Sequence, residues 1–421
     1  MTDTSFWIGL DDTDSPEGMC TTWLGALLIK RLRKIGYRIQ EARLIRLNPT
    51  IPHRTRGNAA IAIRAIGDPG IAFNTACDLV SRHADLVCEK THPGVVVADH
   101  QPPAAFYTQA VSGICTIEEA RDILNEHALF FRGYKLGRGL IGATAAIASA
   151  LPDHTWEILV YRDEKRIGTP RYVDTMSLFT SEEITTPHTW DTVDRTGECP
   201  VCIPHTPDPV LFGIRGDTPF AVAHAASCIR SESPTWGQIW LTNQGTDAHL
   251  IESSINQIKE GHSYRIQGTI QTNPVTLRGG HVQLSLTDDT GDLTCMAFEP
   301  TKEFRHSIRS LIPGDQIIAV GSYLSGALNL EKICLIVAAP RIQICAPICE
   351  PCAKQMTSAG SGKGYKCRRC KSRSQLPSTT ILPRDLMPGW YEVPPCARRH
   401  LAKPIIRDQK RTERGILPGS S

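Results

Sequence analysis

The chain has 421 residues, of which 41% are hydrophobic and 21% charged, a composition typical of a globular protein with two to four domains. No apolar run approaches the roughly 18 residues of a membrane-spanning helix, and we expect no secretory leader at the polar N-terminus. The net charge of +3 is uneven: residues from Lys363 onward contain 14 Lys and Arg against 4 Asp and Glu, a net +10, so the preceding part carries −7. This asymmetry favours a polyanion partner, with a solubilising tail as the alternative.

Residues 5–160 alternate strand-like and helix-like stretches, beginning with an apolar strand at Phe6–Leu10. The segment from Thr21 to about Ile35 has leucines at helical spacing, and Gly36 follows as a stop signal. Two further strands (ARLIRL and NAAIAIRAI) and two further helices (FNTACDLVSRHA and TIEEARDILNEHAL) follow. The pattern predicts an α/β or α+β domain of about 160 residues.

The rest of the chain changes character three times. Residues from about 165 to 255 form a second mixed unit, with the helix-like stretch PFAVAHAASCIR and the strand GQIWLTN. Residues 263–338 contain five strand-like segments with one helix-like insert between the third and the fourth, which is typical of an OB-type barrel that binds nucleic acid. Another small barrel is the alternative. Beyond about residue 373 the chain loses its periodicity and becomes basic.

Two cysteine pairs give the most specific motif. Cys349 and Cys352 are separated by two residues, as are Cys367 and Cys370, and 14 residues lie between the pairs. Four thiolates at this spacing can bind one Zn²⁺ tetrahedrally in a closed, structural site. Redox-active or buried cysteines are the alternative, and nearby Lys and Arg residues suggest a ribbon that faces nucleic acid.

The other cysteines suggest a reducing compartment. Many of the fifteen stand alone in apolar segments, such as Cys77, Cys88 and Cys228, where they resemble small buried hydrophobic residues. We therefore expect a cytoplasmic protein. Cys199 and Cys202 also have the two-residue spacing, but no second pair lies near them in sequence.

Three carboxylates crowd the end of the first predicted strand. Asp11, Asp12 and Asp14 would repel one another unless a cation neutralised them, and hard divalent ions such as Mg²⁺ prefer carboxylate and phosphate oxygens. The alternative is a capped turn. Farther along, Arg54 and Arg56 could contact phosphate or RNA, or lie in a solvated loop.

The stretch GRGLIG matches a glycine-rich dinucleotide motif, but no well-buried strand precedes it. A weaker hypothesis remains: Gly137 and Gly139 open an apolar helix whose N-terminus could bind phosphate, with charge from Lys135 and Arg138. Tight helix packing is the alternative explanation for these glycines.

Several blocks together resemble the archaeal 2-agmatinylcytidine synthetases across essentially the whole chain. They include GLDDTDSPEGMCTT, RLIRLNPTIPHRTRGNAA, GRGLIGA, CPVCIPHTPDPVLFGIRG, AFEPTKEFR, AGSGKGYKCRRC and YEVPPCARRHLAKPIIR. The resemblance implies a multidomain α/β and α+β protein made of a kinase-like N-terminal domain (1–162), a ferredoxin-like domain (163–258), an OB-fold β-barrel (259–340) and a zinc ribbon with a basic tail (341–421).

The resemblance also implies a chemistry. Such enzymes use ATP to attach agmatine to the C2 carbon of the wobble cytidine in the CAU-anticodon isoleucine tRNA, after phosphorylation of the cytosine oxygen. It implies that Asp11, Asp12 and Asp14 hold Mg²⁺ and ATP, and that Thr21 is a phosphoacceptor. It further places Gly137, Arg138 and Gly139 near the nucleotide, where Lys135 would add the charge suggested above. It also makes Asp208, Asp217 and Asp247 candidates for agmatine binding, with His249 a lesser one.

Two other functions remain open at this point. The first is a nucleic-acid-binding accessory protein that uses the OB and ribbon modules, and the second is an ATP-dependent small-molecule kinase. The acidic cluster argues against a mere binding protein, and the ribbon with its basic tail argues against a small-molecule kinase. The sequence leaves the oligomeric state open.

Overall fold

The computed structural model describes residues 5–53 and 57–408. Arg54, Arg56 and the basic residues beyond 408 therefore lie outside the described residues. The first part of the chain contains β1 (Ser5–Asp11), α1 (Thr21–Lys34), β2 (Arg38–Arg46), β3 (Ala59–Ile66), α2 (Pro69–His83), β4 (Gly94–Ala98), α3 (Ala104–Ser112), α4 (Ile117–His127), β5 (Phe130–Gly133) and α5 (Gly139–Ala148). The strands and helices expected here from the sequence are confirmed, and α3 is an additional helix.

The central feature is a nine-stranded sheet that continues into the second part of the chain. That part contains β6 (Thr155–Tyr161), α6 (Thr175–Thr185), β7 (Thr189–Trp190), β8 (Val193–Asp194), β9 (Cys199–Pro200), β10 (Val210–Gly216), α7 (Pro219–Ser227) and β11 (Trp236–Thr242). The strand order is β5-β4-β1-β3-β2-β11-β6-β10-β7. Strands from the first and second parts of the chain meet where β2 pairs in parallel with β11. Strand β6 lies between β11 and β10.

Alternate side chains of β1 face opposite layers, as the two-residue period of a strand requires. Phe6, Ile8 and Leu10 pack with α1 and α2, whereas Trp7 packs in the layer that contains α3, α4 and α5. Helix α5 lies very close to β1, because a Cβ atom added at Gly9 would stand 2.4 Å from the Ala143 carbonyl oxygen. The small residues of both elements permit this close approach.

The third part is the barrel expected from the sequence. It contains β12 (Leu250–Glu252), β13 (His262–Ile270), β14 (Val275–Thr276), β15 (Val282–Asp288), β16 (Gly291–Ala297), α8 (Phe304–Arg309), β17 (Gln316–Leu324) and β18 (Ala327–Val337). The pairing β13-β17-β18-β16-β15 closes on itself through β13 and β15. With α8 between the third and fourth barrel strands, the OB prediction is confirmed.

The C-terminal part first forms a small ribbon and then returns to the body. Its strands are β19 (Arg341–Cys345), β20 (Ile348–Cys349), β21 (Lys354–Gln355), β22 (Thr357–Ser358), β23 (Tyr365–Lys366), β24 (Arg373–Ser374), β25 (Ser378–Leu382) and β26 (Gly389–Glu392). Strand β26 joins β18 of the barrel. We call residues 389–408 the C-terminal strap.

The strap carries basic side chains that bind acids of the body. Arg398 pairs with Asp191 on the second half of the large sheet, and Arg407 pairs with Asp217 at 3.2 Å. Part of the charge asymmetry seen in the sequence is therefore neutralised within the molecule. Among the described residues, no helix is long and apolar enough to cross a membrane.

Candidate functional site

Two adjoining cavities open beyond the end of β1. The first, which we call the aspartate cavity, has a volume of about 420 Å³ and is lined by Asp11, Asp12, Asp14, Arg138 and a largely apolar wall. The second, the threonine cavity, has a volume of about 310 Å³ and a more polar wall that includes Thr21 and Thr22. Asp14, Gly57 and Ala59 line both, so the two cavities share a boundary.

The local backbone positions the three aspartates. Strand β1 ends at Asp11, and Asp12 turns the chain with a left-handed φ of 57°. The Asp12 carboxylate accepts a hydrogen bond from the backbone N–H of His92 at 3.1 Å. The Asp11 carboxylate lies against α5, where a Cβ atom added at Gly142 would stand 1.9 Å from its Oδ2 atom. The carboxylate thus depends on the absence of a side chain at position 142.

Burial and mutual repulsion disfavour the charged form of these carboxylates. Burial raises the pKa of Asp11 well above its usual range, and the neighbouring Asp12 adds to that effect. Burial and the charge of Asp14 raise the pKa of Asp12 to about 7, although the His92 N–H, Arg138 and Lys135 act in the opposite direction. A divalent cation would remove the repulsion, and the oxygen donors fit Mg²⁺.

The aspartates do not form a complete metal cage. Among the described residues, only the ribbon cysteines bring three or more candidate ligand atoms within 4.8 Å of one another. Mg²⁺ usually binds one or two carboxylates and completes its shell with water and phosphate, so a subset of the three aspartates fits this role. The residues after the cluster form a short turn, in which Ser15 and Gly18 are bridged.

Thr21 is the first residue of α1 and is buried. Its Oγ1 atom accepts hydrogen bonds from the Thr13 hydroxyl at 3.0 Å and from the Thr13 backbone N–H at 3.3 Å. The first turn of α1 contains no acidic residue and its N-cap, Cys20, makes no side-chain cap. A phosphate on Thr21 would therefore meet the positive end of the helix dipole without a competing anion in that turn. Thr22 lies in the same turn.

The glycine block packs tightly and also reaches the site. A Cβ atom at Gly139 would lie 2.4 Å from the Gly94 nitrogen and 2.6 Å from the Asp11 carbonyl oxygen, and the Gly139 N–H donates to the His92 carbonyl at 2.9 Å. Gly137 has a φ of 70°. Arg138 lines the aspartate cavity, whereas Lys135 donates to the carbonyl of Cys88. Their roles toward a nucleotide remain predictions.

The structure separates the three acids suggested for agmatine. Asp208 lines the threonine cavity and pairs with Arg171 at 3.2 Å. Asp217 pairs with Arg407, and Asp247 pairs with Lys332. Asp217 and Asp247 are not among the described residues that line either of the two cavities, and neither is His249, which is buried.

The sequence reasoning missed four polar residues of the threonine cavity, namely Arg46, Glu157, Arg215 and His400. Glu157 lies on β6 and Arg215 on β10, each a charged residue within a mostly apolar strand. A charge in such a strand is the signal that could have identified them, because an unpaired buried charge is costly. His400 comes from the C-terminal strap and gave no local signal.

The four ribbon cysteines come together as predicted. Their Sγ atoms all lie within 4.8 Å of one another, and those of Cys349 and Cys370 are 3.4 Å apart. Hydrogen bonds from the hydroxyl and backbone of Ser372 lower the pKa of Cys370 to about 6, which favours the thiolate that binds Zn²⁺. The other spaced pair is different, since burial raises the pKa of Cys202 to about 12.

Family models match three regions of the chain. They are described as the TiaS TCKD domain over residues 7–70, the TiaS FLD domain over residues 137–249 and the TiaS C-terminal zinc ribbon domain over residues 346–386. Together they span the end of β1, the second half of the large sheet and the four-cysteine ribbon.

Relatives that carry one shared enzyme name are similar to this chain over almost its full length. Proteins named as the isoleucine-tRNA 2-agmatinylcytidine synthetase TiaS from Methanocorpusculum labreanum and Methanosarcina mazei are 49% and 46% identical. The alignments cover 95% and 97% of this chain, and 96% and 98% of the relatives. The one from Archaeoglobus fulgidus is 40% identical, with 95% of this chain and 97% of the relative covered.

Solved structures agree with these matches. The TiaS chain in a solved complex with its isoleucine tRNA and ATP is 39% identical in sequence to this chain, with a TM-score of 0.88. The TiaS chain in a complex with that tRNA, AMPCPP and agmatine is 37% identical, with a TM-score of 0.85. Both cover 96% of this chain and 97% of the solved one. By these matches, the chain belongs to the TiaS family of isoleucine-tRNA 2-agmatinylcytidine synthetases.

Proposed function

We propose that the protein joins agmatine to the C2 carbon of the wobble cytidine in the CAU-anticodon isoleucine tRNA, at the expense of ATP. One observation carries the proposal: the aspartate and threonine cavities share Asp14, and Thr21 lies on the wall of the second. Phosphoryl transfer and attack by an amine can therefore take place in one continuous space. Relatives that carry the synthetase name, and solved complexes with tRNA, ATP and agmatine, support the assignment.

ATP fits the aspartate cavity. Its wall includes Leu47, Ile51 and Ile114, and apolar walls with a few polar groups are typical of nucleotide and other small-molecule sites. Asp11, Asp12 and Asp14 lie where Mg²⁺ and phosphates would meet. Mg²⁺ would neutralise phosphate charge during phosphoryl transfer, and Lys135 and Arg138 add positive potential beside Asp12.

The cytosine and agmatine fit the threonine cavity. Phosphorylation makes the cytosine oxygen a leaving group, and the agmatine amine then replaces it at C2. Thr21 would carry or relay a phosphoryl group at the N-terminus of α1. For agmatine we retain Asp208, because among the three acids it is the one that lines the cavity; like Asp217 and Asp247, it would have to share its carboxylate with the arginine or lysine that it pairs with.

The remaining modules would hold the RNA. The OB barrel, the zinc ribbon with its exposed Lys and Arg residues and the basic tail each suit a polyanion. We retain the division into residues 1–162, 163–258, 259–340 and 341–421 as a proposal. Strand β6 falls within the first of these ranges but pairs with β10 and β11 of the second. All fifteen cysteines are free of disulfide bonds, which agrees with action in the reducing cytoplasm.

A transfer assay tests the proposal. The protein would be incubated with ATP, labelled agmatine and an unmodified CAU-anticodon isoleucine tRNA transcript, with a transcript carrying a different anticodon as the control. We expect ATP-dependent label only on the CAU transcript. Binding of tRNA without transfer would indicate the accessory protein, and phosphorylation of a small molecule without RNA would indicate the kinase.

A further inference from the structure

Two arginines face the threonine cavity on either side of one carboxylate. Arg46 ends β2 and Arg215 lies on β10, and their side chains are only 14% and 12% exposed. The Arg46 Nη2 atom is 3.9 Å from the Glu157 Oε2 atom, and the Arg215 Nε atom is 3.6 Å from the Glu157 Oε1 atom. These distances allow charge attraction but are too long for hydrogen bonds.

Both guanidinium groups keep unused donors. The Nε atoms of Arg46 and Arg215 are buried and have no hydrogen-bond partner among the described residues. Glu157, which lies between them, accepts instead from the Gln244 amide at 2.5 Å. Because a buried donor without an acceptor destabilises the fold, this arrangement is best explained by a ligand that supplies acceptor oxygens.

The charge around the pair selects an anion. Two guanidinium groups face the carboxylate of Glu157, and the charge of Asp14 also acts on Arg46. Asp191, which is 3.6 Å from Arg215, is shared with Arg398. His400 stays neutral beside them, since burial and the charges of Arg46 and Arg215 lower its pKa well below the usual range. A cationic guanidinium such as that of agmatine would be repelled here, whereas phosphoryl oxygens would be attracted.

We propose that Arg46 and Arg215 bind the phosphoryl group carried by the cytosine oxygen and stabilise it as it departs. This inference rests on the proposed function. In the displacement, the agmatine nitrogen forms a bond to C2, the C2–O bond breaks, and phosphate leaves with that oxygen and the bonding electron pair. The proton of the amine passes to solvent. The two guanidinium groups neutralise the charge that grows on the departing phosphate.

Substitution of each arginine tests the proposal with the full-length protein. Arg46→Met and Arg215→Met remove the charge, and each is also combined with Glu157→Gln so that no buried carboxylate is left unpaired. Arg46→Lys and Arg215→Lys keep the charge without the forked donors. Arg230→Met is the matched control, because Arg230 is 71% exposed and pairs with Asp174 outside the residues that line the cavity.

Two measurements separate this role from a structural one. In steady-state transfer, we expect kcat to fall about 100-fold in the Met variants, with the KM for agmatine nearly unchanged and partial rescue by Lys. In the second measurement, calorimetry gives the affinity for inorganic phosphate. We expect the Arg46→Met and Arg215→Met variants to bind phosphate about tenfold more weakly than the wild type, both alone and in combination with Glu157→Gln. The phosphate affinity of Arg230→Met should be unchanged.

The result that overturns the inference is unchanged phosphate affinity in folded Met variants, or a rise in the KM for agmatine with kcat preserved. Absence of transfer by the wild type, with phosphate binding that still depends on both arginines, would refute the proposed function while leaving the anion site intact. The two failures are thus distinguishable.

Discussion

Replacement of Gly142 by alanine is expected to disable the aspartate cavity without changing any polar residue. Gly142 lies in α5, and a Cβ atom built on it stands 1.9 Å from Oδ2 and 2.6 Å from Cγ of Asp11. Ordinary non-bonded contacts are about 3.5 Å. The Asp11 carboxylate and α5 must therefore move apart by more than about 1 Å.

The expected magnitude follows from that displacement. Misplacement of a reacting group by about 1 Å costs on the order of 100-fold in rate, so kcat for agmatine transfer should fall by about that factor. The fold should survive, because overpacking costs about 1–3 kcal/mol while alanine is better than glycine inside a helix by about 1 kcal/mol.

The assay compares Gly142→Ala with Gly237→Ala. Gly237 lies on β11, and a Cβ atom there meets no atom closer than 3.5 Å. Transfer rate, ATP affinity and the urea midpoint would be measured for both proteins. Transfer by Gly142→Ala at the rate of Gly237→Ala, with normal ATP affinity, would show that the position of the Asp11 carboxylate is unimportant and would refute the reasoning.

Three further predictions concern other parts of the site. Thr21→Ala should lower transfer at least about 100-fold with an unchanged circular dichroism spectrum; wild-type turnover would reduce Thr21 to a helix residue bonded to Thr13. Cys367→Ser should lose zinc, measured by atomic absorption, and weaken tRNA binding while ATP binding persists, since Cys349, Cys352 and Cys367 pack with Met356 and Tyr365 in a small core of their own; ATP binding lost together with zinc would contradict this separation. Asp208→Asn should raise the KM for agmatine about tenfold, whereas Asp217→Asn should leave it unchanged; equal effects of both would argue against Asp208 as the agmatine ligand.

Local patterns in the sequence predicted much of this molecule. The helical spacing after Thr21, the five barrel strands and the two cysteine pairs each depend on neighbouring residues, and each is confirmed. The acidic cluster at the end of β1 also lies in a cavity, as its chemistry suggested. These features are readable because periodicity and ligand spacing are properties of short segments.

Other features depend on contacts between distant segments. The parallel pairing of β2 with β11 fuses two predicted domains into one sheet, and no local pattern specifies that partner. Arg398 and Arg407 belong to a segment that looked like a free basic tail, yet they bind Asp191 and Asp217. His400 likewise enters the threonine cavity only because the strap returns to the sheet.

In the proposed reaction the cytosine oxygen departs as phosphate from the threonine cavity. The most direct test uses an isoleucine tRNA with ¹⁸O at the C2 carbonyl of the wobble cytidine, followed by mass spectrometry of the phosphate and of the RNA after the reaction. We expect one ¹⁸O atom in the phosphate derived from each modified tRNA, and a nucleoside heavier by agmatine less one water. Phosphate without ¹⁸O alongside a modified nucleoside would contradict it.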